Sequence, residues 1–140
     1  MAAAATARRI ARYVYLALIL LFLAGVLVQA LLAGRFILGG ESSEPHIALG
    51  WPLAHMLAPI VLLLSFFLGG GRAFWVTSLV WGILAIVQPI LAAMAEEGPD
   101  AVAALHVPNA LVLFTLSLWL AWRAWGMAMQ PPAAPVARQA

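Results

Sequence analysis

Four long apolar runs, at about Tyr13–Ala33, Ile47–Leu68, Ala73–Ala95 and Ala101–Trp122, fill most of the chain. Each has about 20 residues or slightly more, the length an α-helix rising about 1.5 Å per residue needs to cross a hydrocarbon layer about 30 Å thick. The linkers between them are short, so helices adjacent in sequence pack antiparallel. The pattern predicts an all-α fold, a four-transmembrane-helix antiparallel bundle over residues 13–125. Residues 1–12 precede it, and residues 126–140, with Pro131, Pro132 and Pro135 among alanines, read as a flexible tail.

Charge orients this bundle. Glu41, Glu44, Glu96, Glu97 and Asp100 lie in the first and third gaps, whereas Arg8, Arg9, Arg12, Arg72, Arg123 and Arg138 lie before the first run, in the second gap or after the fourth. Only Arg35 breaks the split. Positive residues are retained on the cytoplasmic side, so both termini are expected in the cytoplasm, in a bacterial inner membrane. The first run is too long for a signal-peptide core, and Leu31 stands where cleavage near Ala30–Ala33 would need a small residue, so it is expected to be a retained helix.

Composition narrows the function classes. Only 9% of residues are charged, against about a quarter in soluble domains, which leaves no room for a soluble module. The net charge of +2 comes from arginines that anchor the helices, not from a nucleic-acid-binding face. Without cysteine the chain has no disulfide, thiolate metal site, iron–sulfur cluster or covalently attached haem.

The two halves resemble each other. The first run ends Val28-Gln29-Ala30-Leu31-Leu32-Ala33 and the third Val87-Gln88-Pro89-Ile90-Leu91-Ala92. An acidic loop follows each glutamine, and then a histidine, His46 or His106. Two hairpins entering in the same orientation are related by an axis along the membrane normal. Such an axis sets Gln29 opposite Gln88 and His46 opposite His106.

Polar side chains at membrane depth mark functional candidates, because each needs a partner in hydrocarbon. Gln29, His55, Gln88, His106 and Asn109 fall roughly 6–13 Å inside the outer helix ends at 1.5 Å per residue. His46 lies at the mouth of the second helix. Ser78, Trp81, Ala85, Gln88 and Ala92 share one face of the third helix, and His106, Asn109, Ala110, Leu113 and Ser117 one face of the fourth. In an undistorted second helix, His46 and His55 are about 180° apart, so only one looks inward; Pro52 between them leaves open which. Structural roles are also expected: interhelical bonding for the glutamines, a backbone partner near Pro108 for Asn109, interfacial anchoring for Trp51, Trp119, Trp122 and Trp125, and pairing or snorkelling for Arg35 near Glu41.

Two neutral imidazoles facing across an apolar cavity suit axial ligation of haem iron. Gly50, Ala85, Ala92 and Ala110 are small enough to leave room for a flat macrocycle, and Arg35 is placed to meet a propionate. Zinc lacks a third protein ligand at matching depth, nucleophilic catalysis lacks a serine placed with a histidine and a carboxylate, and no carboxylate or lysine lies within a span to drive transport.

The segments His46-Ile47-Ala48-Leu49-Gly50, Val87-Gln88-Pro89-Ile90-Leu91 and Leu105-His106-Val107-Pro108-Asn109-Ala110-Leu111 resemble a family of small uncharacterised bacterial four-helix membrane proteins. They are more distantly similar to one half of haem A synthase, over about Arg12–Trp125. That similarity implies His46 and His106 as haem ligands. It does not carry over haem conversion, since Ile47 stands where the synthase has arginine and only one half is present. The expected function is therefore that of a b-type haem protein or electron-transfer subunit using His46 and His106 as metal ligands, with His55 competing for the second-helix position. The alternative is a cofactor-free accessory or scaffold subunit of a larger membrane complex, with the lipid bilayer and not nucleic acid as its surroundings. Quinone, pigment or small-solute binding stands behind both.

Overall fold

The computed structural model describes residues 2–97 and 104–130. It is all-helical: α1 (Ala2–Gly39), α2 (Glu44–Ser65), α3 (Gly71–Glu97) and α4 (His106–Ala128), each long and apolar enough to cross a membrane. The chain is accordingly a membrane protein. Every helix packs on its neighbours in sequence, and α1 also packs on α4, closing an antiparallel square. α1 with α3 and α2 with α4 form its two diagonals.

Helix ends differ from the apolar runs where the backbone continues past the hydrocarbon pattern. α1 starts eleven residues before Tyr13, because the alanine-rich segment around Arg8, Arg9 and Arg12 is itself helix-forming. It runs on to Gly39, and Gly40 (φ +67°) turns the chain out of it. α4 starts at His106 and not at Ala101; residues 101–103 lie outside the described ones. His106 therefore opens its helix, much as His46 lies in the first turn of α2. The tail expected from residue 126 is helical to Ala128, and residues 131–140 lie outside the described ones.

The square has a near-twofold internal repeat. Along α1 and α3, residues 59 positions apart meet across the axis in layers seven residues apart. Tyr15 meets Phe74 with ring centres 5.5 Å apart, and Phe22 meets Trp81 edge-on at 4.8 Å. Gln29 and Gln88 occupy the next layer. All four aromatic rings are buried, so these layers form the centre of the core.

α2 and α4 match at an offset of 60 at their histidine ends: His46 with His106, Leu49 with Asn109, Gly50 with Ala110, Leu53 with Leu113. Beyond that the matching buried positions, Ala58 with Ser117, Val61 with Leu120, Ser65 with Ala124 and Leu68 with Met127, are 59 apart. The one-residue difference is taken up by a π turn at Leu53–Leu57, between Pro52 and Pro59, where the Ala58 N–H bonds to the Leu53 carbonyl. A π turn adds one residue to a helix without ending it. Here it brings the lower half of α2 back into phase with its counterpart.

At the opposite end, Arg12 ties the square together. Its Nε donates to the Leu68 carbonyl (3.1 Å) and an Nη to the Met127 carbonyl (2.9 Å). These two acceptors are equivalent positions of the two hairpins. Burial of Trp81 is completed by its indole N–H, which donates to Ser117 Oγ at 2.8 Å. That hydroxyl in turn donates to the Leu113 carbonyl.

Candidate functional site

The repeat delivers two histidines to one diagonal. The His46 and His106 rings lie 6.4 Å apart between centres, with their planes inclined by 59°. α2 and α4 face each other across the bundle, and the two imidazoles meet between them.

Each ring is fixed by the glutamine of its own hairpin in the same reciprocal arrangement. His46 Nδ1 lies 3.1 Å from the Gln29 carbonyl, and Gln29 Nε2 donates to the His46 carbonyl at 2.9 Å. His106 Nδ1 lies 3.2 Å from the Gln88 carbonyl, and Gln88 Nε2 donates to the His106 carbonyl at 3.1 Å. A carbonyl oxygen only accepts, so both rings carry their proton on Nδ1 and leave the Nε2 lone pair available. Holding a histidine through Nδ1–H on a backbone carbonyl is the usual way a ligating imidazole is oriented and made more basic.

The two halves then diverge. Gln88 Nε2 also donates to His106 Nε2 at 3.2 Å, and Gln88 Oε1 accepts from Asn109 Nδ2, which is shared with the Leu84 carbonyl. Asn109 thus braces Gln88, not the backbone near Pro108. In the first half Leu49 stands at the matching position and offers no donor. Among the described residues, Gln29 Oε1 is consequently buried without a hydrogen-bond partner and no hydrogen bond reaches His46 Nε2. Gly50 matters at this point: a Cβ there would lie 2.5 Å from Gln29 Nε2, so the room it leaves is filled by the glutamine amide.

His55 is not brought to the pair. It lies exposed on the outer face of α2, as its helical phase relative to the inward His46 predicts, where its Nδ1 lies 3.0 Å from the Trp51 carbonyl and its ring stacks on Trp51 at 4.9 Å. Arg35 forms an exposed ion pair with Glu41 (2.8 Å), the partner expected for it in place of a propionate. Trp51, Trp122 and Trp125 are exposed, as interfacial anchors are, while Trp119 is half-buried beneath the Arg123 guanidinium. Among the described residues no group of three or more His, Asp or Glu side chains gathers, so the pair stands as two imidazoles without a third protein ligand.

Chemically, the arrangement offers two oriented nitrogen lone pairs, of which the amide of Gln88 engages the one on His106. No family model, curated protein or solved structure matches the chain.

Proposed function

We propose that the protein is a b-type haem-binding membrane protein, or the haem-carrying subunit of an electron-transfer complex, in which His46 and His106 would hold the haem. The observation that carries this reading is the 6.4 Å separation of two imidazoles tethered through Nδ1. His46 and His106 would hold the group from opposite helices, each through Nε2, with Nδ1 committed to a glutamine carbonyl. The donor set would suit the group, with the Gln88 amide moving off His106 Nε2 to admit it. When bound, haem supplies one-electron exchange. The chain's own part is to fix both tautomers through Gln29 and Gln88, to exclude water with the Phe22–Trp81 layer, and to hold two neutral ligands in an apolar site. The likeness to half of haem A synthase points to the same two positions.

The distribution of arginine and carboxylate supports a bacterial inner-membrane location with both termini cytoplasmic, which places the histidine pair at the periplasmic end. A second reading, a cofactor-free scaffold subunit, is favoured by one feature: the glutamine–histidine clamps join the helices of each hairpin without any ligand.

An absorption spectrum of detergent-purified protein, expressed with ample haem, tests the proposal. A Soret band that is absent from the His46→Ala/His106→Ala double variant is expected. Colourless wild-type protein that remains folded would overturn the haem reading and leave the scaffold.

A further inference from the structure

We infer that the end of the bundle away from the histidines binds an anionic glycerophospholipid, its phosphate held between Arg8 and Arg72 and an acyl chain lying along Phe66 and Trp75. This is independent of the haem reading and needs only the membrane-spanning fold.

Charge at this end has no internal balance. Arg8, Arg9, Arg12, Arg72 and Arg123 lie here, whereas every Asp and Glu of the sequence falls in or next to the two segments that join the helices at the opposite end. Residues 131–140, outside the described ones, add Arg138 and no carboxylate side chain. Three of the five arginines are already engaged. Arg12 donates to two carbonyls, while Arg9 lies over the Tyr13 ring and Arg123 over the Trp119 ring, each 5.8 Å from the ring centre. Arg8 and Arg72 are exposed and, among the described residues, have neither an ion pair nor a hydrogen bond.

These two arginines border one cleft. It has a volume of about 330 Å³ and opens between the end of α2 and the start of α3, with Gly69 and Arg72 both in its lining. Arg8 reaches the same rim from α1: a Cβ on Gly69 would lie 3.8 Å from its Cδ and from one Nη. Gly69 (φ +72°) and Gly71 (φ +78°) turn the chain between the two guanidinium-bearing positions. The cleft wall is apolar. Phe66 and Trp75 meet edge-on with ring centres 5.5 Å apart, and both are exposed on the outside of the bundle, where lipid chains run.

Paired cations at the rim of an apolar cleft match an amphiphile better than a soluble anion. Guanidinium groups hold phosphate through parallel N–H···O bonds. A zwitterionic headgroup carries its own ammonium, which two uncompensated guanidiniums repel. A headgroup with net negative charge, as in phosphatidylglycerol, brings no such cation, so this is the lipid class the cleft selects.

Native mass spectrometry of the full-length protein, released from detergent containing equal amounts of phosphatidylglycerol and phosphatidylcholine, tests the site. Wild-type protein should retain phosphatidylglycerol about ten-fold over phosphatidylcholine. Arg8→Gln and Arg72→Gln should each reduce that preference about five-fold. Both positions are exposed, and circular dichroism should show both variants folded as the wild type is. Arg9→Gln, adjacent in sequence but laid on Tyr13, should change it less than about two-fold. Inorganic phosphate at millimolar concentration should not displace the lipid. Equal retention of the two lipids by wild-type protein would overturn the inference. An Arg9→Gln loss as large as that of Arg8→Gln would do the same, since a diffuse positive field would then account for the preference. Displacement of the lipid by inorganic phosphate would also overturn it, in favour of a site for soluble anions.

Discussion

Removing the side-chain amide of Gln88 should destabilise the apoprotein markedly, and the same change at Gln29 should not. The two glutamines hold equivalent positions in the repeat, so any difference reports their contacts and not their depth. Gln88→Leu deletes three hydrogen bonds, to the His106 carbonyl, to His106 Nε2 and from Asn109. Polar contacts between membrane helices average about 0.6 kcal/mol each and reach about 1.7 kcal/mol. The loss therefore comes to about 2 kcal/mol. Asn109 keeps the Leu84 carbonyl and adds no orphan donor to that figure.

Gln29→Leu deletes one bond, to the His46 carbonyl, and also abolishes a buried oxygen without a partner. Leaving a buried acceptor unpaired costs about 1–3 kcal/mol, so its removal offsets or exceeds the lost bond. The expected change therefore runs from about zero to a gain of about 2 kcal/mol. Thermal unfolding of haem-free protein in one detergent, followed by circular dichroism, separates the two cases. At about 4 °C per kcal/mol, Gln88→Leu should fall by about 8 °C while Gln29→Leu stays at or above the wild type. Equal losses, or a larger loss at Gln29, would refute the claim that the halves differ in polar satisfaction.

Other expectations follow from single contacts. Leu49→Asn places an amide where Asn109 stands in the other hairpin, within reach of Gln29 Oε1; a double-mutant cycle with Gln29→Leu should show a favourable coupling of about 1 kcal/mol, and none if that oxygen is already satisfied. Ser117→Ala strands the buried Trp81 indole N–H and should cost about 1–3 kcal/mol in detergent unfolding, but far less in a Trp81→Phe background, where no donor remains. Arg12→Lys loses the fork that reaches both the Leu68 and Met127 carbonyls and should cost about 1–2 kcal/mol, whereas Arg9→Lys, exposed on the same helix, should be neutral in the same measurement.

Much of this architecture was legible because membrane helices advertise themselves. Run length gave four spans, and the Gln–acidic loop–His spacing gave the repeat and the facing of His46 and His106. Helix ends were less legible: the hydrocarbon pattern stops where lipid stops, while α1 continues through Arg8–Arg12 on alanine-rich helix propensity. His55 was illegible for a different reason. Helical phase set His46 and His55 about 180° apart, so only one could look inward, and Pro52 between them hid which. The role of Asn109 was hidden because its nearest sequence feature, Pro108, offered a local explanation, whereas its partners Gln88 and Leu84 lie on another helix.

The aromatic layers and the π turn together explain why the repeat is faint in sequence yet close in space. Tyr15 faces Phe74 and Phe22 faces Trp81, so each layer pairs unlike aromatic side chains, and residue identity is lost although position is kept. A larger ring on one helix asks for a smaller one opposite, since a close-packed centre conserves total volume more strictly than it conserves either partner. In α2 the extra residue of the π turn shifts the match with α4 from 60 to 59, so no single alignment offset spans both ends. Yet both ends must stay in phase, because Arg12 grips the Leu68 and Met127 carbonyls at one end while His46 must reach His106 at the other. Had α2 carried the extra residue as plain α-helix, Ala58, Val61 and Ser65 would have rotated by about 100° out of the core. The π turn is therefore what lets one hairpin accommodate an insertion and still present its histidine and its far carbonyl to the same axis.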